Sequence, residues 1–313
     1  MSASDLLRYK RVIMQLEEFI VKDTTILDIG CANGGLLMEL KTNGYVNLFG
    51  LDPSQTCVKN VNELNIRAFT GSLLCNELKG KEKFGLIILS HVLEHIRDLN
   101  KAMEAALELL DESGYIYIEA PNAKEYESHF IVPFYYFDSE HINHFDKESL
   151  KNLFAVHGIQ SISCVEKNIQ VSETQDYPAV SVIGKKQNIR EKKELIYATT
   201  KDSITGYVEK CRQDKKYSYI NNIVNDYEPI VIWGAGSYTS RLLGTTDLYK
   251  CNIKMFIDND ENKQGMKLMG KSICGADKLN GFNGKIISAS AIHSSDIVNQ
   301  IGLMGFNNEI IIL

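Results

Sequence analysis

Five short runs rich in β-branched and aromatic residues, TTILDIG, VNLFGLD, IRAFTG, FGLIILS and GYIYIEAP, recur through the first 121 residues, separated by stretches long enough for helices, such as LNKAMEAALELLDESG. Strands spaced this way cannot close as hairpins. They pair in parallel through right-handed crossovers, which predicts an α/β fold with an open, doubly wound sheet. Ahead of the first run, Leu6, Leu7, Ile13, Leu16, Phe19 and Ile20 stand at helical spacing and predict a leading amphipathic helix. Behind the last, GIQSISCVEK and YPAVSVIGKK are extended segments joined by a polar loop, suited to an antiparallel pair at one edge of the sheet.

At 313 residues the chain exceeds the usual single-domain size. Its texture divides it into a first domain over 1–187, a charged helical connector over 188–228 and a second, smaller α/β domain over 229–313. A formal charge of -6 argues against the broad basic surface that nucleic-acid binding requires. Seven cysteines are scattered singly, as in reduced proteins. The N-terminus lacks an apolar leader and no stretch is apolar over the length of a bilayer crossing, so a soluble, cytoplasmic protein without membrane partners is expected.

The first strand runs into a glycine loop, Ile26-Leu27-Asp28-Ile29-Gly30-Cys31-Ala32-Asn33-Gly34-Gly35, and then a helix. Small residues there let backbone amides approach a ligand at the carboxyl end of the sheet. A dinucleotide loop would set G-x-G-x-x-G against a pyrophosphate, whereas Asp28 here precedes the first glycine, where its charge suits a cationic amino acid better. Asp52 ends the next strand 18 residues past Gly34, in position to accept both hydroxyls of a ribose, and Pro53 then turns the chain.

LDIGCANGG, LFGLDPS and LSHVLEHI together resemble the successive motifs of class I S-adenosylmethionine-dependent methyltransferases, over roughly residues 20 to 187. The resemblance implies a Rossmann-like sheet with S-adenosylmethionine as cofactor. It implies that Asp28, Gly30, Cys31, Ala32 and Gly34 surround the methionine part of the donor, that Asp52 and Pro53 hold the ribose side, and that Gly71, Ser72 and Leu73 flank the adenine. Ser90 and His91 would leave the fourth strand beside the sulfonium. TGSL departs from the pattern in lacking an acidic residue for the adenine amino group.

His91-Val92-Leu93-Glu94-His95 also spells H-x-x-E-H, an inverted zinc-peptidase signature. Zinc binding by that motif needs both histidines on one face of a helix. Here His91 sits at a strand end, so no metal is expected, and His91 and His95 are left as supporting groups.

After the fifth strand the chain makes a long excursion, HFIVPFYYFDSEHINHFDKESL, from the carboxyl edge of the sheet. Long loops at that edge carry function more often than plain connections do. Tyr135 and Tyr136 offer aromatic walls, and SEHINHF resembles the Glu-His-x-x-Tyr-Phe region of nucleotide-sugar C-methyltransferases. That resemblance implies His141 as general base, Glu140 as its partner and His144 where that family has an aromatic residue. The alternative is that these residues order the loop before a helix capped by Asp146.

In the second half, Pro229 to Ser240 again reads strand, glycine loop, helix, with Gly234 and Gly236 but Thr239 in place of a third glycine, and Asp258 follows 22 residues beyond Gly236. VIWGAGSYTSRLLG and FIDNDENKQGMKLMG resemble the C-terminal domain of the same sugar methyltransferases, which implies a role in holding a small-molecule acceptor, a sugar nucleotide. Their cysteine-rich zinc segment has no counterpart here. The expected activity is methyl transfer to a small polar acceptor in surface carbohydrate biosynthesis. A nicotinamide-dependent oxidoreductase using the C-terminal loop, or a non-catalytic binding protein, is the alternative.

Overall fold

The computed structural model describes residues 3–80, 82–137, 140–171, 175–187, 195–197, 199–215 and 217–313. The chain forms two compact units. One comprises Met1–His129 and Ser139–Tyr207, the other Phe130–Asp138 and Val208–Leu313.

The first unit opens with α1 (Ala3–Leu16), followed by β1 (Ile26–Ile29), α2 (Gly35–Thr42), β2 (Leu48–Asp52), α3 (Gln55–Glu63), β3 (Arg67–Thr70), β4 (Phe84–Ser90), α4 (Leu99–Leu109) and β5 (Leu110–Pro121). After the excursion come α5 (Lys147–Val156), β6 (Ile159–Gln170) and β7 (Asp176–Lys186). The seven strands are ordered β3-β2-β1-β4-β5-β7-β6. The first five pair in parallel, and β7 and β6 close one edge in antiparallel fashion, as the two extended segments predict. β1 lies between β2 and β4, so the strand order reverses there and opens a crevice above the carboxyl ends.

Strand parity decides what each face carries. Leu27, Ile29, Ile87, Leu89, Ile116 and Ile118 pack with α4 and α5 on one face. Ile26, Leu86, Ile88 and Tyr117 pack with α1 and α2 on the other, through Val12, Ile13, Leu16 and Leu37. Asp28, Ser90 and Glu119 extend that second alternation at the strand ends, so three polar side chains are gathered under the N-terminal helix.

The connector region contains α6 (Thr200–Gln213) and α7 (Ser218–Asp226), while 188–194, 198 and 216 lie outside the described residues. The second unit continues with β8 (Ile230–Trp233), α8 (Ser237–Thr245), β9 (Ile253–Ile257), β10 (Lys267–Leu268), β11 (Lys271–Cys274), β12 (Lys285–Ser288), α9 (Ser294–Leu303) and β13 (Ile310–Ile312). Its sheet is ordered β10-β11-β9-β8-β12-β13 and is parallel apart from the β10–β11 pair. All seven cysteines are free. Among the described residues no helix is long and apolar enough to cross a membrane.

Candidate active site

The glycine loop is a backbone device. Gly30, Ala32 and Gly34 all take positive φ, at 73°, 46° and 77°, a region that costs an L-residue energy and that glycine enters freely. A Cβ on Gly30 would lie 2.7 Å from Cγ2 of Val92, so only glycine lets the loop pass beneath the end of β4. The Gly30 amide donates to the Leu51 carbonyl at 2.8 Å, and the Ala32 amide donates to Oδ2 of Asp52 at 2.9 Å. Oδ1 of Asp52 accepts the Ser54 amide at 2.8 Å. Asp52 therefore fixes the loop, and each of its oxygens keeps a further lone pair.

A crevice of about 290 Å³ opens here, lined by Gly30, Asp52, Pro53, Gly71, Ser72, Leu73 and His91 among the residues picked from sequence, and by Val92, His95 and Ile96. Gly71 is required by space: a Cβ would stand 2.7 Å from the Cys75 carbonyl in the turn that Ser72 and Cys75 close. Ala32 and Gly34 support the loop without lining the crevice. Cys31 turns the other way. It is buried, its sulfur lies against Gly50 in the core under α2, and burial pushes its thiol far up, so it is inert packing.

Asp28 and Ser90 sit deeper, under α1. Burial, with Asp52 adding and Arg8 opposing, pushes the Asp28 carboxyl up to about 7. From α1, the Arg8 guanidinium donates to Oγ of Ser90 at 2.8 Å and to Glu119 at 3.2 Å. Glu119 is fully buried and is the hub: it also accepts from Tyr117 at 2.7 Å and from Ser90 at 3.1 Å, pairs with Lys167 at 2.5 Å and stands 3.3 Å from Nε2 of His91. Burial opposes charge on Glu119, yet His91, Lys167 and Arg8 hold its pKa well below the ordinary range. His91 sits at φ 56°. Its burial is likewise outweighed by hydrogen bonds to Glu119 and to Glu94, which raise its pKa. None of Arg8, Glu119 and Lys167 was marked by the motif reading, although charged residues at strand ends under a helix were the available signal.

The two histidines of H-x-x-E-H face different partners. His91 binds Glu119 and Glu94, whereas Nδ1 of His95, on the 3₁₀ turn Leu93–His95, lies 3.0 Å from the Glu140 carbonyl oxygen. The excursion is laced onto that turn: the Ile142 and Asn143 amides donate to the Glu94 carbonyl, and the Asn143 side-chain amide donates to the Leu93 and Ile96 carbonyls. The lacing brings His141 to 4.9 Å from His95 between ring centroids. Glu140 is exposed and contributes its backbone carbonyl. His144 packs against Tyr126, 3.2 Å from its hydroxyl, and burial with the nearby His141 pushes it down to about 4, which leaves it neutral at ordinary pH. Asp146 caps α5 in a capping box with Ser149. Tyr135 and Tyr136 fall in the second unit and His141 in the first, and Tyr136 is buried.

In the second unit, Asp258 repeats the loop-fixing geometry but is already engaged: Lys263 reaches its Oδ2 at 3.0 Å. Thr239 is buried, with its hydroxyl in reach of the Gly234 and Ala289 carbonyls, and so ties the loop to the next strand.

Comparison with known proteins agrees with this geometry. Residues 4–163 match the family model described as Methyltransferase domain, and residues 226–312 match one described as C2185-like, N-terminal. Among curated proteins, the chain is 32% identical over 105 residues to the ubiquinone biosynthesis O-methyltransferase of Bartonella tribocorum, covering 31% of this chain and 41% of that protein. It is 29% identical over 109 residues to the enzyme of the same name from Pelagibacter ubique, covering 33% and 44%. The match thus spans about two fifths of the length of these relatives. Similar solved structures include a SAM-dependent methyltransferase from Methanosarcina mazei (TM-score 0.46, 16% identity, 55% of this chain and 96% of that one) and an S-adenosylmethionine-dependent methyltransferase from Clostridium acetobutylicum (TM-score 0.46, 16% identity, 59% and 92%). With the family model covering residues 4–163 of 313, the chain belongs to the methyltransferase-domain family.

Proposed function

We propose that the first unit binds S-adenosylmethionine in the crevice between β1, β2 and β4 and transfers its methyl group to a small polar acceptor. The observation that carries this reading is Asp52, whose carboxylate lines the crevice, holds the glycine loop and retains acceptor capacity for a ribose diol. The residues present fit the donor: Gly30 and Gly71 keep the walls clear of side chains, Leu73 offers an apolar face, and Asp28 lies under α1 as the partner for an ammonium group. S-adenosylmethionine brings a methyl on positive sulfur, already activated for in-line displacement, so the protein's task is positioning.

The acceptor side is assigned to His95 and His141 at the edge of the same crevice. Methylation of a hydroxyl or an acidic carbon requires loss of the acceptor's proton, and His141 is the group assigned to that ionisation. Glu140 serves it through the backbone carbonyl that orients His95, and His144 through packing. The resemblance of SEHINHF and of the C-terminal glycine loop to nucleotide-sugar methyltransferases supports a sugar nucleotide as acceptor, in a reaction of surface carbohydrate synthesis. The curated relatives are named for ubiquinone biosynthesis, and a phenolic acceptor is the competing class.

Incubating the full chain with methyl-labelled donor and pooled nucleotide sugars, with phenols in a parallel pool, tests both parts. Label transfer to a sugar nucleotide is the expected result. Transfer to phenols alone overturns the acceptor, and absence of S-adenosylhomocysteine binding by calorimetry overturns the donor site. His141→Ala is expected to remove turnover while leaving S-adenosylhomocysteine affinity within a few fold; unchanged turnover would discard its role.

A further inference from the structure

Three side chains on the acceptor side converge in a way that general placement of an acceptor does not require. One ligand atom each from Glu94, His95 and His141 lies within 4.8 Å of the other two. We infer that Glu94, His95 and His141 form a binding site for a divalent first-row transition metal ion, zinc foremost, at the mouth of the donor crevice.

Two members are held in the state that a metal ligand needs, and the third is brought to them. The Glu140 carbonyl accepts only, so His95 donates to it from Nδ1 and presents Nε2 as a lone pair. A backbone carbonyl orienting the far nitrogen is how ligating histidines are commonly fixed. Glu94 is fully buried; its Oε1 is engaged by His91 Nδ1 at 3.1 Å, while its Oε2 has no hydrogen-bond partner among the described residues. A buried carboxylate oxygen left over in this way is uncommon and calls for a cation. His141 is brought to the pair by the amides of Ile142 and Asn143 on the Glu94 carbonyl.

Two imidazoles and one carboxylate, with open positions toward a crevice, suit zinc and its neighbours rather than magnesium or calcium. At metal–ligand distances of about 2.1 Å, ligand atoms stand roughly 3.4 Å apart in a tetrahedral site. The three side chains therefore close by about an ångström and a half on binding, within the reach of rotations of His95 and His141. The site differs from the H-x-x-E-H reading, because His91 serves Glu94 from behind and the third ligand comes from the excursion. It also departs from the expectation of no metal. Its use rests on the methyl-transfer reading: an open coordination position next to His95 would take the acceptor's oxygen and stabilise its ionised form, the proton passing to solvent, so that His141 promotes the ionisation as a ligand of the ion and not as the proton acceptor itself.

The test is cation binding by the metal-stripped full chain, read without turnover. Zn²⁺ is titrated in competition with a chromophoric chelator, and Co²⁺ is added separately for its visible spectrum. One equivalent of Zn²⁺ is expected, with a Co²⁺ spectrum lacking thiolate charge-transfer bands, which excludes the free cysteines as ligands. Glu94→Gln and His141→Ala should each weaken binding by about tenfold or more, while His293→Ala, at an exposed pair with Asp296, leaves it unchanged. His141→Ala removes an incompletely buried ring and guards against a folding defect in Glu94→Gln. Binding of less than about half an equivalent, or wild-type affinity in both variants, overturns the proposal. Asp52→Ala separates it from the donor assignment: that variant should lose S-adenosylhomocysteine and keep Zn²⁺, so failure of one reading leaves the other readable.

Discussion

Asp52 and Asp258 hold the same post in two different sheets. Asp52 ends the second strand of its unit and Asp258 directly follows the second strand of its own; each accepts the amide of an alanine in the glycine loop through Oδ2 at 2.9 Å, and the amide two residues on through Oδ1, at 2.8 and 2.9 Å respectively. The difference is Lys263, which occupies Oδ2 of Asp258 and has no counterpart at Asp52 among the described residues. A ribose diol arriving at Asp258 competes with an ammonium group; at Asp52 it does not. Calorimetric titration with NADH and NADPH is therefore expected to show no binding, and micromolar binding of either would restore the oxidoreductase reading.

Asp52→Ala removes hydrogen bonds to a charged group, each valued at about 1.5 to 3 kcal/mol. The loop amides of Ala32 and Ser54 lose their acceptor as well. S-adenosylhomocysteine affinity is expected to fall by at least about tenfold, measured by calorimetry. An unchanged affinity contradicts the ribose role.

On the proposed reading, Asp28 is expected to make donor binding depend on pH. Its surroundings are Arg8 and Tyr9 from α1, Asp52 from β2 and Cys31 from the loop. With the carboxyl pushed up to about 7 by burial, much of it is protonated in the ligand-free protein below neutrality, while an ammonium partner needs it ionised. Binding of S-adenosylhomocysteine should thus release a proton, and affinity should rise as pH increases toward 7 and level off above it. The stability sign is opposite: a raised carboxyl favours the folded state at low pH, and that contribution is lost as pH rises from the ordinary aspartate range through about 7. Asp28→Asn should flatten both profiles; a persistent affinity slope in that variant assigns the proton elsewhere.

Glu119→Gln tests the hub. The substitution leaves Lys167, whose side chain is only 9% exposed, beside Arg8 without a countercharge. Breaking a buried pair from one side costs about 3–5 kcal/mol, read as a lower midpoint in urea. Because the Glu119 pKa is depressed, its contribution is present above the unfolded carboxylate's range and fades as pH falls through the folded-state value. A loss below about 1 kcal/mol would mean that water reaches the site in solution.

The sheet was legible because its evidence is local: alternation of strand and helix is written in neighbouring residues, and the spacing from Gly34 to Asp52 follows from one strand-helix-strand unit. Asp52, Gly71 and Leu73, which follow from that spacing, line one crevice. Arg8, Glu119 and Lys167 were not legible, since each looks ordinary in its own segment and their meeting depends on which face a helix far away in sequence covers. Likewise, Glu94 and His141 are brought together by backbone hydrogen bonds from Ile142 and Asn143, which no periodicity records. Tyr135 and Tyr136 look like neighbours of His141 in sequence, yet the chain hands them to the other unit.

That handover limits how this chain can be rearranged. Val132 belongs to the apolar core built around β8 and β9, although it is encoded within the first half. A single cut between the halves would leave one fragment missing a piece of its interior and the other carrying an apolar loop with nothing to cover it. Shuffling of the C-terminal half among relatives, by nature or by design, has to carry the 130–138 insert along with it.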